Sequence, residues 1–132
     1  MVNENINSSQ ELNDEELHFI GIKVVYKHLI DNGYEVIAVR KELEVNPQIL
    51  AKKDNQYHLV AIRTKRFPEM GILFPHVASQ VIYLAKQRGG IAHFASVGIA
   101  NGATANEEEM SKPLKNGEYY INFKGLLPII EE

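Results

Sequence analysis

Apolar and polar residues recur along this chain with two periods, and the places where the period changes divide it into elements. In LHFIGIKVVYKHLIDNG, Leu17, Ile20, Val24 and His28 share one face at helical spacing, with Ile22, Val25 and Leu29 beside them. Asn13 stands where an N-cap belongs, and Glu16 three residues on completes a capping box. Gly33, after Asp31 and Asn32, closes the helix as a left-handed residue. Gly21 in its middle costs about 1 kcal/mol against alanine, so another helix, or the neighbouring strands, should approach closely there.

The pattern then turns to strands. Residues 34–40, YEVIAVR, are β-branched and aromatic-rich, and Leu43 and Val45 prolong the run by alternation with charges. Pro47 should open the next strand, because proline donates nothing to a ladder. PQILAKK and YHLVAIRT flank Asp54-Asn55-Gln56, a short polar connection suited to a tight hairpin. Three antiparallel strands result. After the proline-bracketed FPEMGILFP, residues 76–88 read as a second helix ended by Gly89-Gly90. Its core face is Val77, Val81 and Leu84 with Ala78 and Ala85, while His76, Gln80, Tyr83 and Gln87 form a separate stripe. Residues 91–99 make a fourth strand, which its helical connection allows to run parallel to the third. Residues 101–117 read as a long polar loop and 118–124 as a fifth strand. The apolar tail LLPII must pack somewhere or meet a partner.

Composition bounds this picture. The 132 residues, 45% hydrophobic and 23% charged, suit one domain with a real core at 13–132, preceded by a polar, poorly ordered arm at 1–12. No run approaches the ~20 apolar residues that span a bilayer, and no secretory pattern opens the chain, so a cytoplasmic location without a membrane partner is expected. The absence of cysteine removes disulfides, thiolate metal sites and thiol nucleophiles. A net charge of −3 weighs against a domain that grips duplex DNA over a broad face, while leaving room for a local basic patch.

The remaining chemistry gathers at the hairpin of residues 46–65. Side chains alternate along a strand, so Arg63 and Lys65 emerge on one side with Ala61 while Val60 and Ile62 point to the other. The preceding strand runs antiparallel, which sets Pro47 and Gln48 beside Arg63 and Lys65 as one surface. Charged residues at a strand end also serve simply to protect an edge. No two of His18, His28, His58, His76 and His93 have the close helical spacing of a metal motif, and His58 and His93 would have to meet across the sheet. Ser79 and Ser96 lack a nucleophile-elbow context, and no glycine pattern opens a helix to cradle phosphate.

The order of helix, three strands, helix, strand, with a Pro-led hairpin ending in lysine, resembles the PD-(D/E)xK nuclease superfamily over residues 14–99. In that family an Asp follows the Pro, an acid and a Lys two residues apart end the third strand, and a Gln then a Tyr on the second helix mark a RecB-type exonuclease-like branch. Pro47 and Lys65 match, and Gln80 with Tyr83 is similar to the helix pair. Gln48 and Arg63 stand where the resemblance requires the two metal-binding acids.

The resemblance implies an α/β, restriction endonuclease-like α-β-β-β-α-β core, with a mixed central sheet flanked by helices and an extra C-terminal strand. It also implies a changed chemistry. Magnesium-assisted phosphodiester hydrolysis needs carboxylate oxygens around a hard cation, whereas Gln48 offers a neutral carbonyl and Arg63 repels a cation. We therefore expect a catalytically degenerate nuclease-like domain with no cofactor and no metal ligands, whose cationic surface binds an anion or nucleic acid. Gln48, Arg63, Gln80 and Tyr83 are its ligand-binding candidates. The alternative is an active Mg2+-dependent nuclease with relocated acids, in which Lys65 and Glu16 are catalytic and Glu35, Glu44 or Glu69 supply oxygens. A third reading is a non-enzymatic homodimeric module, motivated by Gly21, LLPII and the aromatic strand EYYINF.

Overall fold

The structure, a computed structural model, describes residues 10–131. Helix α1 (Asp14–Asp31) opens with the expected capping box: Asn13 Oδ1 accepts from the Glu16 N–H at 2.8 Å, and Glu16 Oε1 accepts from the Asn13 N–H at 2.9 Å. Strands β1 (Glu35–Val39), β2 (Ile49–Lys53) and β3 (Gln56–Arg66) form an antiparallel meander, then helix α2 (Pro75–Arg88) carries the chain to β4 (Ile91–Asn101), parallel to β3. A short helix α3 (Glu107–Met110), β5 (Tyr119–Asn122) and the two-residue β6 (Leu127–Pro128) follow. The sheet order is β1-β2-β3-β4-β5, and β6 also pairs with β4. This is the mixed α-β-β-β-α-β arrangement of a restriction endonuclease-like core, with additional C-terminal strands. Among the described residues no helix is long and apolar enough to cross a membrane.

The sheet separates two cores. On one face Ile22, Val25 and Leu29 of α1 pack on Ile49, Val60, Ile62 and Val97. On the other, Val77, Val81 and Ala85 of α2 pack on Leu59, Ala61 and Phe94. The alternation along β3 is thus as expected, with Arg63 and Lys65 in phase with Ala61 on the α2 side.

Several local expectations change. The buried stripe of α1 is Leu17, His18, Gly21, Ile22, Val25 and Leu29, rotated from the Ile20–Val24–His28 line. Gly21 sets that rotation, because it lies against Thr64 of β3 and not against another helix. Strand β1 stops at Val39, and Leu43 lies in a turn with 39% of its surface exposed, since no sheet neighbour covers it. The polar loop contains α3, too short for a periodic pattern, capped by Asn106 accepting from the Glu109 N–H at 3.0 Å. Residues 1–9 of the expected arm lie outside the described residues. Residues 10–12 pack on the domain: Leu12 is buried, its N–H donates to Pro113 O at 3.0 Å, and Glu11 bridges Leu114. The tail is also used within the chain, with Leu127 opposite Phe94 and Ile129 packed on the α2-side core.

Candidate anion site at the open end of β3

Strand β3 is eleven residues long and β2 only five, with Ile49 opposite Val60. The end of β3 beyond Ala61 therefore has β4 on one side and no strand on the other. Gln48 closes the first gap: its Oε1 accepts from the Ile62 N–H at 2.7 Å, so a side-chain amide continues the ladder. Its Nε2 donates to Val45 O and, at 3.3 Å, to Asn46 Oδ1. Gln48 is 1% exposed, and satisfying both ends of its amide is what makes that burial tolerable.

Asn46 is the hub of this end. Its Oδ1 also accepts from Arg63 Nη2 at 2.8 Å, and its Nδ2 donates to Gln80 Oε1 on α2 at 3.3 Å. Arg63 Nη1 donates to Ile62 O at 2.8 Å. The guanidinium is half-buried, held by two neutral oxygens, and among the described residues no carboxylate forms an ion pair with it. Burial pushes the Arg63 pKa below its usual value, yet arginine keeps its proton at any ordinary pH, so a fixed positive charge stands here. On the α1 side His18 is buried, and desolvation, then the Arg63 charge, lower its pKa. Both His18 Nε2 and Thr64 Oγ1 are buried without a hydrogen-bond partner among the described residues.

Two cavities flank the Asn46–Arg63 contact. One, of about 220 Å³, is lined by Arg63, Lys65, Arg66, Asp14, Ile72 and Phe74. Residues 67–74 bring the last two side chains there by crossing closely over β3 and β4. Ser96 Oγ donates to Gly71 O at 2.7 Å, and a Cβ on Gly71 would lie 2.1 Å from the Arg63 carbonyl oxygen. The other cavity, of about 230 Å³, is lined by Asn46 and Gln48, by Leu50, Leu59 and Leu84, and by Arg40 and Arg88.

Residues 15–129 match a family described as a domain of unknown function, DUF8840. The chain belongs to that family. No curated protein matches it. Among solved structures, the chain is similar to Hjc, a Holliday junction resolvase from the archaeal hyperthermophile Archaeoglobus fulgidus, at 23% identity and a TM-score of 0.43. The match covers 55% of this chain and 61% of that one, so it spans less than two thirds of the resolvase chain.

In this DUF8840 member, then, Gln48, Arg63 and Gln80 are joined through Asn46, and Lys65 is exposed in the adjoining cavity. Tyr83 stands apart on α2, 61% exposed, its hydroxyl accepting from Gln87 Nε2 at 2.9 Å. Glu16 is also apart, engaged in the helix cap and in an ion pair with Lys115 at 3.2 Å. The carboxylate that shares the Lys65 cavity is Asp14, which pairs with Arg66 at 2.9 Å. Sequence patterns do not single out Asn46, because an Asn before Pro reads as a turn residue and its partners are 17 and 34 positions away. A second contact also emerges: His58 Nδ1 and His93 Nε2 lie 2.9 Å apart across β3 and β4.

A divalent cation beside Gln48 and Arg63 would meet a guanidinium and an amide oxygen already engaged by Ile62. These residues do not fit such a metal. Among the described residues no group of three or more His, Asp or Glu is arranged to hold one.

Proposed function

We propose that this domain keeps a nuclease-like fold but uses the cleft at the end of β3 to bind phosphate-bearing ligands without cleaving them. The observation that carries this reading is the Arg63 guanidinium, held by Asn46 Oδ1 and Ile62 O where the family resemblance requires an acid. A tethered cation supplies the phosphate attraction that a bound metal would give, but it has no open coordination position on which to activate water. Lys65, exposed in the same cavity, adds a second donor. The reading predicts that single- and double-stranded DNA and RNA remain intact with Mg2+ or Mn2+. Metal-dependent cutting that Lys65→Ala abolishes would overturn it.

The reading with relocated acids is favoured by one observation, the presence of Asp14 in the Lys65 cavity. It predicts cutting that Asp14→Asn removes. The Arg66–Asp14 ion pair counts against it, because a carboxylate so engaged is a poor metal ligand.

A further inference from the structure

We infer that the cavity of about 230 Å³ on the α2 side of the sheet is a binding site for a slender dicarboxylate, apolar along its middle and charged at both ends. It shares no lining residue with the Lys65 cavity, so the inference goes beyond the phosphate-binding reading and stands without it.

The floor of the cavity is a row of side chains across three strands, because the register sets Ala38 opposite Leu50 and Leu50 opposite Leu59. Helix α2 packs on β3 and β4, and its Leu84 forms a wall where the helix leaves β1 and β2 uncovered on this face. Leu59 is buried, but Leu50 and Leu84 are only half-buried and Ala38 is exposed. Apolar surface is left there for a ligand to cover.

The charge stands at the two ends of this floor. Arg40 follows Ala38 by two residues and Arg88 follows Leu84 by four, so each arginine shares the cavity face of its own element. Strand β1 runs in the same direction as β3, since both are antiparallel to β2, whereas α2 runs back from the end of β3 to the start of β4. The arginines therefore come from opposite ends. The Arg40 N–H donates to Gln48 O at 2.7 Å and the Gln48 N–H to Val60 O at 3.0 Å, which sets Arg40 level with Val60. The Arg88 guanidinium lies over the Tyr57 ring, 6.0 Å from its centroid. From Tyr57 to Val60 the strand advances about 10 Å. Among the described residues neither arginine forms an ion pair, and no carboxylate lines the cavity.

The polar side chains between the ends are already engaged. Asn46 is bonded to Arg63, Gln48 and Gln80, and Gln48 to Val45, Asn46 and Ile62. A ligand charged along its middle would thus lose its hydration against leucines and gain no partner. A dicarboxylate avoids that cost, because each planar guanidinium can take one terminal carboxylate through two parallel N–H···O bonds while the methylenes lie on the floor.

The test is an amide NMR titration of the whole protein at neutral pH with suberate, and with octanoate, the corresponding diol and succinate as comparisons. Suberate should shift the amides of Ala38, Arg40, Leu50 and Arg88 with a dissociation constant at or below the millimolar range expected of so small a ligand. Octanoate lacks one charge, the diol both, and succinate the length, so each should bind more weakly. Arg40→Ala and Arg88→Ala should each lower suberate affinity about tenfold and bring it to the level of octanoate. Ala38→Phe, at an exposed strand position that tolerates an aromatic residue, should fill the cavity and abolish binding while the remaining amide spectrum is kept. Octanoate binding as tightly as suberate would overturn the two-ended site. So would suberate binding that survives both arginine variants, or that Lys65→Ala abolishes, since the ligand would then sit elsewhere. An absence of shifts at millimolar suberate overturns the inference outright and leaves the phosphate reading standing.

Discussion

Asn46 decides whether a half-buried cation at the end of β3 is tolerated. Its Oδ1 accepts from both Arg63 and Gln48, and its Nδ2 reaches Gln80, so one short side chain ties the segment leading into β2 to β3 and α2. Asn46→Ala leaves the Arg63 guanidinium with a single backbone acceptor and frees one Gln48 donor. A hydrogen bond to a charged group contributes about 1.5–3 kcal/mol, so a loss of about 2–3 kcal/mol is expected, read as a lower urea midpoint at unchanged slope. Asn46→Asp should lose less, because a carboxylate still accepts from Arg63 and Gln48 and only the donor to Gln80 disappears. An alanine variant as stable as the parent would show that the network contributes nothing. Gln48 and Arg63 are visible in the sequence through their place in a hairpin, but the oxygen between them leaves no sign there. Which acceptor a long side chain reaches depends on rotamers that no spacing encodes.

At the scale of elements, periodicity and end signals are sufficient where an element is long and regular. The Asn13–Glu16 box, Gly33 and Gly89 mark the helix ends as expected, and Asp54 and Asn55, with φ of 54° and 63°, make the tight turn of the β2–β3 hairpin. What α1 packs against is not legible, since Gly21 suits a helix or a strand equally. The strand is the answer, and it can be tested. A Cβ on Gly21 would fall 1.9 Å from Thr64 Oγ1 and 3.0 Å from Thr64 Cβ. Gly21→Ala gains about 1 kcal/mol in helix propensity, but overpacking typically costs about 1–3 kcal/mol, and an approach this close belongs at the upper end. A net loss of about 1–2 kcal/mol is expected. Thr64→Ala removes the clashing oxygen, itself buried without a partner among the described residues, so the double variant should recover much of the loss. Strictly additive effects in that double-mutant cycle would mean that Gly21 and Thr64 do not press on one another.

For the molecule as a whole, net charge is a poor guide: −3 overall conceals two neighbouring cavities lined by Arg40, Arg63, Lys65, Arg66 and Arg88, with Asp14, paired to Arg66, as the one carboxylate among the described residues. The histidine pair is hidden for a related reason, because only the parallel register of β3 and β4, with Val60 opposite His93, brings His58 and His93 together. That register is a property of the assembled sheet. It has a global consequence, since His18, His58 and His93 all have lowered pKa values with burial as the first cause, and His93 falls to about 4. Next after burial, a neighbouring positive charge lowers His18 and His58, from Arg63 and Lys53 in turn, while for His93 it is His58. A folded-state pKa below the unfolded value means that the unfolded chain takes the proton first. The contribution of these groups is therefore complete above about pH 6.5 and drains as the pH falls, until His93 itself is protonated in the fold near 4. For His93 alone the loss between pH 7 and pH 5 is about 2 kcal/mol, a sizeable share of a typical stability of about 5–15 kcal/mol. Urea unfolding at the two pH values should show the midpoint falling with acid, and His93→Gln should flatten that dependence. A midpoint indifferent to pH, or a variant that keeps the full dependence, would mean that the fold does not lower the His93 pKa below its unfolded value.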